Sequence, residues 1–233
     1  MKVGAVILCR YNSTRLPGKI LKQVKGRSIL ENIIRRLETV DNLDKIIVAT
    51  SAKETDDAIA NYCSEQNITC YRGDLSNVAH RFLSASEHHQ LDYAIRINGD
   101  NIFVDTETLS EMINTAVEKE LDVVSNVPGR TFPYGTSIEI MKVNFYSETY
   151  KKFSNEGHFE HVTKYIYDNE VRDSFHFVKN YKYPQLSHQQ MAVDTQEDLD
   201  RAIFIADTLK EFPIEYNLQQ ISQAIDKYKA TTI

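Results

Sequence analysis

Apolar residues fall along this chain in short blocks separated by amphipathic stretches. Val3–Cys9 (VGAVILC) is a continuous apolar run of buried-strand length, and Lys45–Thr50 (KIIVAT) is a second. Between them Ile29, Leu30, Ile33, Ile34, Leu37 and Val40 recur at helical spacing, and Ser28 with Glu31 has the spacing of a capping box. Ser51 and Glu54 make another such pair, leading into a helix to about Glu65. A strand at Ile68–Tyr71, a helix at Asn77–His88, a strand at Tyr93–Ile97, a helix at 106–119 and a strand at Leu121–Ser125 continue the alternation. Strands alternating with helices predict an α/β fold with a doubly wound, mainly parallel sheet and right-handed crossovers.

After Asn126 the pattern loosens. Strands are expected at Thr136–Met141, Ser174–Val178 and Gln190–Val193. Helices are expected at Asn144–Phe153, Phe159–Asp168, Thr195–Leu209 and Leu218–Tyr228, with Thr195 and Asp198 at capping spacing. No internal repeat or low-complexity linker interrupts the chain. One domain over residues 1–233, with an insertion-like segment at about 126–188, is the simplest organisation.

Composition narrows the class. A chain of 233 residues with 42 % hydrophobic positions can bury a core without disulfides or a structural metal. The longest apolar stretch, Ala5–Cys9, is too short to span a bilayer, and no export-type leader precedes it. Three cysteines, Cys9, Cys63 and Cys70, lack CxxC spacing, which points to a reducing, cytoplasmic setting. A net charge of -6 argues against a nucleic-acid partner. The charge is unevenly placed: seven basic residues precede the first acidic one, Glu31. A basic head on an acidic body is either a solvated face or a site for a polyanion.

In parallel α/β sheets, ligands gather at the carboxyl ends of strands. The loop after the first strand reads Cys9-Arg10-Tyr11-Asn12-Ser13-Thr14-Arg15-Leu16-Pro17-Gly18-Lys19. Arginine can clamp phosphate oxygens in pairs, and lysine adds a mobile point charge. The loop is neither a Walker A sequence nor a GxGxxG fingerprint, so it is a phosphate site or an ordinary basic loop. Asn98-Gly99-Asp100 ends another predicted strand. Asp100 is a turn residue or a Mg²⁺ ligand, since Mg²⁺ takes one or two carboxylates and completes its shell with water and phosphates. Asp194 is a helix-start acid or the second carboxylate of such a site. His158 and His161 have HxxH spacing but no zinc motif around them, and no GxSxG supports a serine hydrolase.

Taken together, these stretches resemble the cytidylyltransferases that activate sugar acids, and within them the branch named for spore-coat polysaccharide biosynthesis. The resemblance rests on Arg10-x-x-Ser13-x-Arg15-Leu16-Pro17-x-Lys19, on Arg72-Gly73-Asp74-x-x-Asn77-Val78-x-x-Arg81-Phe82, and on Glu160-His161-Val162-Thr163 with Tyr165-Ile166-Tyr167. Val193-Asp194-Thr195-x-Glu197-Asp198-Leu199 completes it. It implies a fold of the nucleotide-diphosphosugar transferase type, usually paired into a homodimer, with a small insertion forming the acceptor side. It implies a Mg²⁺-dependent transfer of CMP from CTP to a sugar acid or related acceptor, with release of pyrophosphate, for surface polysaccharide biosynthesis.

The resemblance also implies roles. Arg15, Lys19, Asp100 and Asp194 would be catalytic, the two carboxylates as metal ligands. Cys9, Arg10, Asn12, Ser13, Thr50, Ser51, Arg72, Asn77, Arg81, Asn98 and Gly99 would complete the nucleotide site. Two stretches depart from the family pattern: Asn101-Ile102-Phe103 after the Gly-Asp, and Tyr134-Gly135-Thr136-Ser137. The second locates the acceptor side, where Tyr134, Glu139, Glu160 and Lys164 are expected to face the acceptor. Two other readings are a glycosyltransferase of related fold and a non-catalytic nucleotide-binding module. A glycosyltransferase normally carries Asp-x-Asp, and here that spacing occurs at Asp198-Leu199-Asp200, inside a predicted helix.

Overall fold

The computed structural model describes residues 1–169 and 172–231. The first strand, β1 (Val3–Leu8), is buried along its whole length. Its continuous apolar run follows from burial on both faces: Val3, Ala5 and Ile7 enter one core, and Val6 and Leu8 the other. Parallel to β1 run β4 (Lys45–Ser51) on one side and β6 (Tyr93–Asn98) on the other, in a register that sets Leu8 beside Ala49 and Asn98. A short hairpin, β2 (Gln23–Val24) with β3 (Arg27–Ser28), lies outside this sheet and went unforeseen in the hydrophobic pattern. β5 (Cys70–Gly73) flanks β4.

Beyond β6 come β8 (Glu139–Lys142), β7 (Val123–Ser125) and β9 (Phe175–Phe177). Among the described residues the sheet has seven strands in the order β5-β4-β1-β6-β8-β7-β9. β8 alone runs antiparallel to its neighbours, so the sheet is mixed but mostly parallel. The segment at about 126–188 contributes β8 and β9 to this same sheet.

Helices cover both faces. α1 (Ile29–Leu37), α2 (Asp57–Glu65), α4 (Thr106–Glu118), α8 (Gln196–Thr208) and α9 (Leu218–Thr231) supply the larger core. α3 (Val78–His88), α5 (Val143–Tyr150), α6 (Glu156–Glu160) and α7 (Lys164–Asn169) supply the other. Two expected caps form. The Ser28 hydroxyl accepts from Glu31 N, and Thr195 with Asp198 closes a full capping box on α8. No helix among the described residues is long and apolar enough to cross a membrane.

Three local expectations fail for identifiable reasons. Ser51 does not cap a helix. It ends β4, and its N–H donates to Asp56, which holds the chain in a turn before α2. The helix expected over Phe159–Asp168 is broken into α6 and α7, because His161 is extended and the Thr163 hydroxyl reaches Glu139. Gln190–Val193 makes only a bridge from Gln190 to Tyr134, since Val193 O accepts from Lys19 and Val193 N donates to Asp100 O.

Candidate functional site

The ends of β1 and β6 meet where the 9–19 loop begins. Gly99 makes this possible, because a Cβ there would lie 2.7 Å from the Cys9 Cβ. Asp56 pins the loop at its base, accepting from Tyr11 N at 2.7 Å and from Ser51 N at 3.0 Å. Burial works against the Asp56 carboxylate, but the Ser51 hydroxyl and these backbone donors, with Thr50, outweigh it and hold its pKa below the ordinary range. The loop then closes on itself, with Gly18 N donating to Tyr11 O at 2.9 Å. Gly18 is in the left-handed region, φ 66°, which favours glycine.

A cleft of about 330 Å³ opens above this loop. Cys9, Arg10, Ser13, Arg15 and Lys19 line it from β1 and its loop, Asn98, Gly99 and Asp100 from the end of β6 and the turn after it, and Arg81 from α3. Burial pushes the Cys9 thiol up to about 12 against the opposing charge of Arg81, so at neutral pH it is an uncharged wall residue. Arg81 is itself buried, donates to the carbonyls of Asp74 and Leu75, and keeps Nε without a partner among the described residues.

Asp100 and Asp194, 94 positions apart in sequence, converge here. The Lys19 ammonium lies 3.4 Å from Asp100 Oδ2 and 2.9 Å from Asp194 Oδ1, and donates to Val193 O at 2.8 Å. Arg15 Nη2 sits 3.0 Å from Asp194 Oδ2. Asp194 N and Thr195 N both donate to Asp198 Oδ2, so the start of α8 fixes the direction of Asp194. Among the described residues no group of three His, Cys, Asp or Glu forms a self-sufficient metal cage. Two carboxylates already gathered around one cationic group do fit an oxygen-ligated divalent ion that completes its shell with water and substrate.

A second cleft, about 420 Å³, is lined by the same carboxylates. Arg96, Asn98, Asp100, His161 and Asp194 line both clefts. Tyr134 and Lys164 line the second, with the Arg130 guanidinium 5.2 Å from the Tyr134 ring centre and Lys164 paired to Asp168 at 2.7 Å. Glu139 lies at its floor, 1 % exposed. Glu160 lines the first cleft instead.

The remaining sequence candidates lie elsewhere. Thr50 and Ser51 are fully buried in β4 and line neither cleft. Arg72 is turned away toward Ser51 O, Lys53 O and Asp57. Asn12 is exposed outside both. Asn77 caps α3 and lines a hollow with Arg10 and Glu160 at the mouth of the first cleft. Sequence reasoning missed Arg96, His161 and Asp56. Arg96 had a signal: in a strand, positions 96 and 98 share one face, so the charge at 96 points the same way as Asn98, just before the turn that carries Asp100.

Comparison with known proteins places the chain in a family. The family model described as cytidylyltransferase matches residues 5–229. The chain belongs to the cytidylyltransferase family. It is 29 % identical to the spore coat polysaccharide biosynthesis protein SpsF of Bacillus subtilis over 205 residues, 84 % of this chain and 82 % of that one. It is 26 % identical to the 3-deoxy-manno-octulosonate cytidylyltransferase of Fusobacterium nucleatum, covering 87 % of this chain and 96 % of that protein. A cytidylyltransferase structure from Leptospira borgpetersenii superposes with a TM-score of 0.90 at 25 % identity, over 99 % of this chain and 96 % of that one. Family membership makes this cytidylyltransferase a nucleotidyltransferase, and the mostly parallel sheet is in keeping with that fold.

Proposed function

We propose that the protein transfers CMP from CTP to a sugar acid or related acceptor and releases pyrophosphate, in surface polysaccharide biosynthesis. One observation carries this reading: two clefts share a wall, and that wall holds Asp100 and Asp194. The first cleft, rich in arginine and lysine, suits a triphosphate. The second, nearly balanced in charge, suits a less charged acceptor. A group transferred between two substrates must sit where their sites meet.

Asp100 and Asp194 would hold Mg²⁺, whose bound charge offsets that of the phosphate oxygens. The chain's own groups do the rest. Arg10 and Arg15 bind the triphosphate from the loop. Lys19, poised between the carboxylates, reaches the phosphates once the nucleotide gives it a new partner, and offsets charge growing on the leaving pyrophosphate. The attacking oxygen of the acceptor is held on the far side of the α-phosphorus from that leaving group, so catalysis is positioning and charge neutralisation without a covalent intermediate. Pyrophosphate release measured for each nucleoside triphosphate with Mg²⁺, across a panel of sugar acids, tests the reading. Turnover with CTP and one acid supports it, whereas equal use of all four nucleotides rejects the cytidylyl assignment.

A further inference from the structure

The sheet register sets Arg96 opposite Glu139 across β6 and β8, and Ser125 opposite Glu139 across β7 and β8. Three polar residues thus stand side by side across three neighbouring strands. Glu139 Oε2 accepts from Arg96 Nη1. Glu139 Oε1 accepts from the Thr163 hydroxyl at 2.7 Å and from the Tyr167 hydroxyl at 2.6 Å, and Ser125 Oγ lies 2.7 Å from the Tyr167 oxygen. Both oxygens of the carboxylate are therefore taken by protein donors, which leaves Glu139 poorly suited to grip an acceptor directly.

Arg96 is the opposite case. Among the described residues only its Nη1 is engaged and its buried Nε has no partner, and its side chain, 20 % exposed, lines both clefts. An ion pair this buried is weak support for stability, because desolvating two charges offsets most of their attraction. Its structural effect is to fix a planar, incompletely used guanidinium at the point where the clefts meet.

We propose that Arg96 binds a carboxylate of the acceptor at this junction, and that Glu139, Thr163 and Tyr167 are positioning residues that hold its guanidinium in place. The inference rests on the second cleft being the acceptor side. Glu139, Thr163 and Tyr167 line that cleft and not the first, so the device faces the acceptor. A carboxylate is favoured over a phosphate because the charge of Arg96 is already balanced by Glu139, so a dianion gains little. The planar fork of arginine can hold such a carboxylate bidentately.

The test uses the sheltered Nε–H of Arg96 as a reporter in ¹⁵N-labelled protein, assigned by its disappearance in Arg96→Lys. The probes are 3-deoxy-manno-octulosonate and its methyl ester, added to protein carrying CTP and Mg²⁺ at low temperature. The acid is expected to move the resonance to saturation and the ester to leave it in place. Glu139→Gln should weaken the acid about tenfold or more and blur the resonance, with CTP affinity kept within about twofold. Tyr167→Phe, which keeps the ring and loses one hydroxyl, should give a smaller loss of the same kind and carries the test if Glu139→Gln fails to fold. A resonance unmoved by the acid, or moved equally by the ester, overturns the proposal. So does an Arg96→Lys protein that loses as much affinity for CTP as for the acid. Failure to bind CTP at all would reject the cytidylyl reading while leaving the Arg96 response to the acid readable.

Discussion

The first cleft takes three of its cations from a single loop, Arg10, Arg15 and Lys19, and adds Arg81 and Arg96. Against these five stand three carboxylates among the described residues, Asp100, Glu160 and Asp194. The second cleft gathers Arg96, Arg130 and Lys164 from three separate elements and sets four carboxylates beside them, Asp100, Glu139, Asp168 and Asp194. One cleft is a surplus of positive charge on a contiguous segment, and the other is nearly balanced and assembled from distant parts of the chain. Charge concentrated in sequence attracts a polyanion with little geometric selectivity. Charge balanced locally and directed by hydrogen bonds selects by shape.

The largest effects should come from the wall both clefts share. Asp100→Asn and Asp194→Asn each keep the local shape and remove one charge, so pyrophosphate release should fall about 10²–10³-fold while the melting temperature barely moves. A full-rate Asp194→Asn enzyme would take that residue off the junction. Next comes the first cleft alone. Lys19→Met should raise the CTP KM and lower kcat, about tenfold in kcat/KM, with the acceptor KM unchanged. Arg15→Ala should cost less, a few-fold, because that side chain is 63 % exposed and screened by water.

Substitutions in the second cleft should split the kinetics the other way. Tyr134→Ala and Lys164→Ala are expected to raise the acceptor KM several-fold and leave the CTP KM alone. An equal rise in both constants would erase the distinction between the clefts. The gentlest probe is salt. Raising ionic strength from about 0.05 M to about 0.5 M shortens the Debye length severalfold, so CTP affinity should fall more steeply than acceptor affinity when both are titrated.

Asp56 offers a check on the frame beneath the first cleft. Its folded pKa is depressed, so its ionised form contributes stability above the unfolded pKa of about 3.9, and that contribution is lost as pH falls through the folded value. Asp56→Asn should lower the melting temperature at pH 7, and the gap from the parent protein should close as the pH drops below 4. A gap constant from pH 7 to pH 3 would show that the carboxylate's charge does not matter there.

The contrast between the clefts also explains what could be read from the sequence. The alternation of strands and helices through Ser125 was legible because β1 and most of β4 and β6 are buried and read as largely apolar runs. The 9–19 loop was legible because its chemistry is contiguous. The convergence of Asp100 and Asp194 was legible only as an expectation about strand ends. What stayed hidden depends on pairing between distant segments. That β8 runs antiparallel between β6 and β7, and so brings Glu139 against Arg96, cannot be seen in either strand alone. The break between α6 and α7 follows from one hydroxyl, that of Thr163, finding Glu139 across 24 residues. Lys19 was expected to serve phosphates, and its place between the two carboxylates could not be read from a loop pattern.

Gly135 shows how tightly the two clefts are joined. With φ at 86° it brings its backbone against Ala192, where any Cβ would run into main-chain atoms, and Tyr134 exchanges hydrogen bonds with Gln189 and Met191 at 2.9 Å each. The chain reaches Asp194 two residues later. A loop shift that enlarged the second cleft at this point would drag Asp194 with it. Divergence toward new acceptors is therefore channelled into side-chain replacements at positions such as 134 and 164, whose backbones stay put, and away from insertions or backbone remodelling at 135. The geometry of the crossing makes some evolutionary routes accessible and closes others.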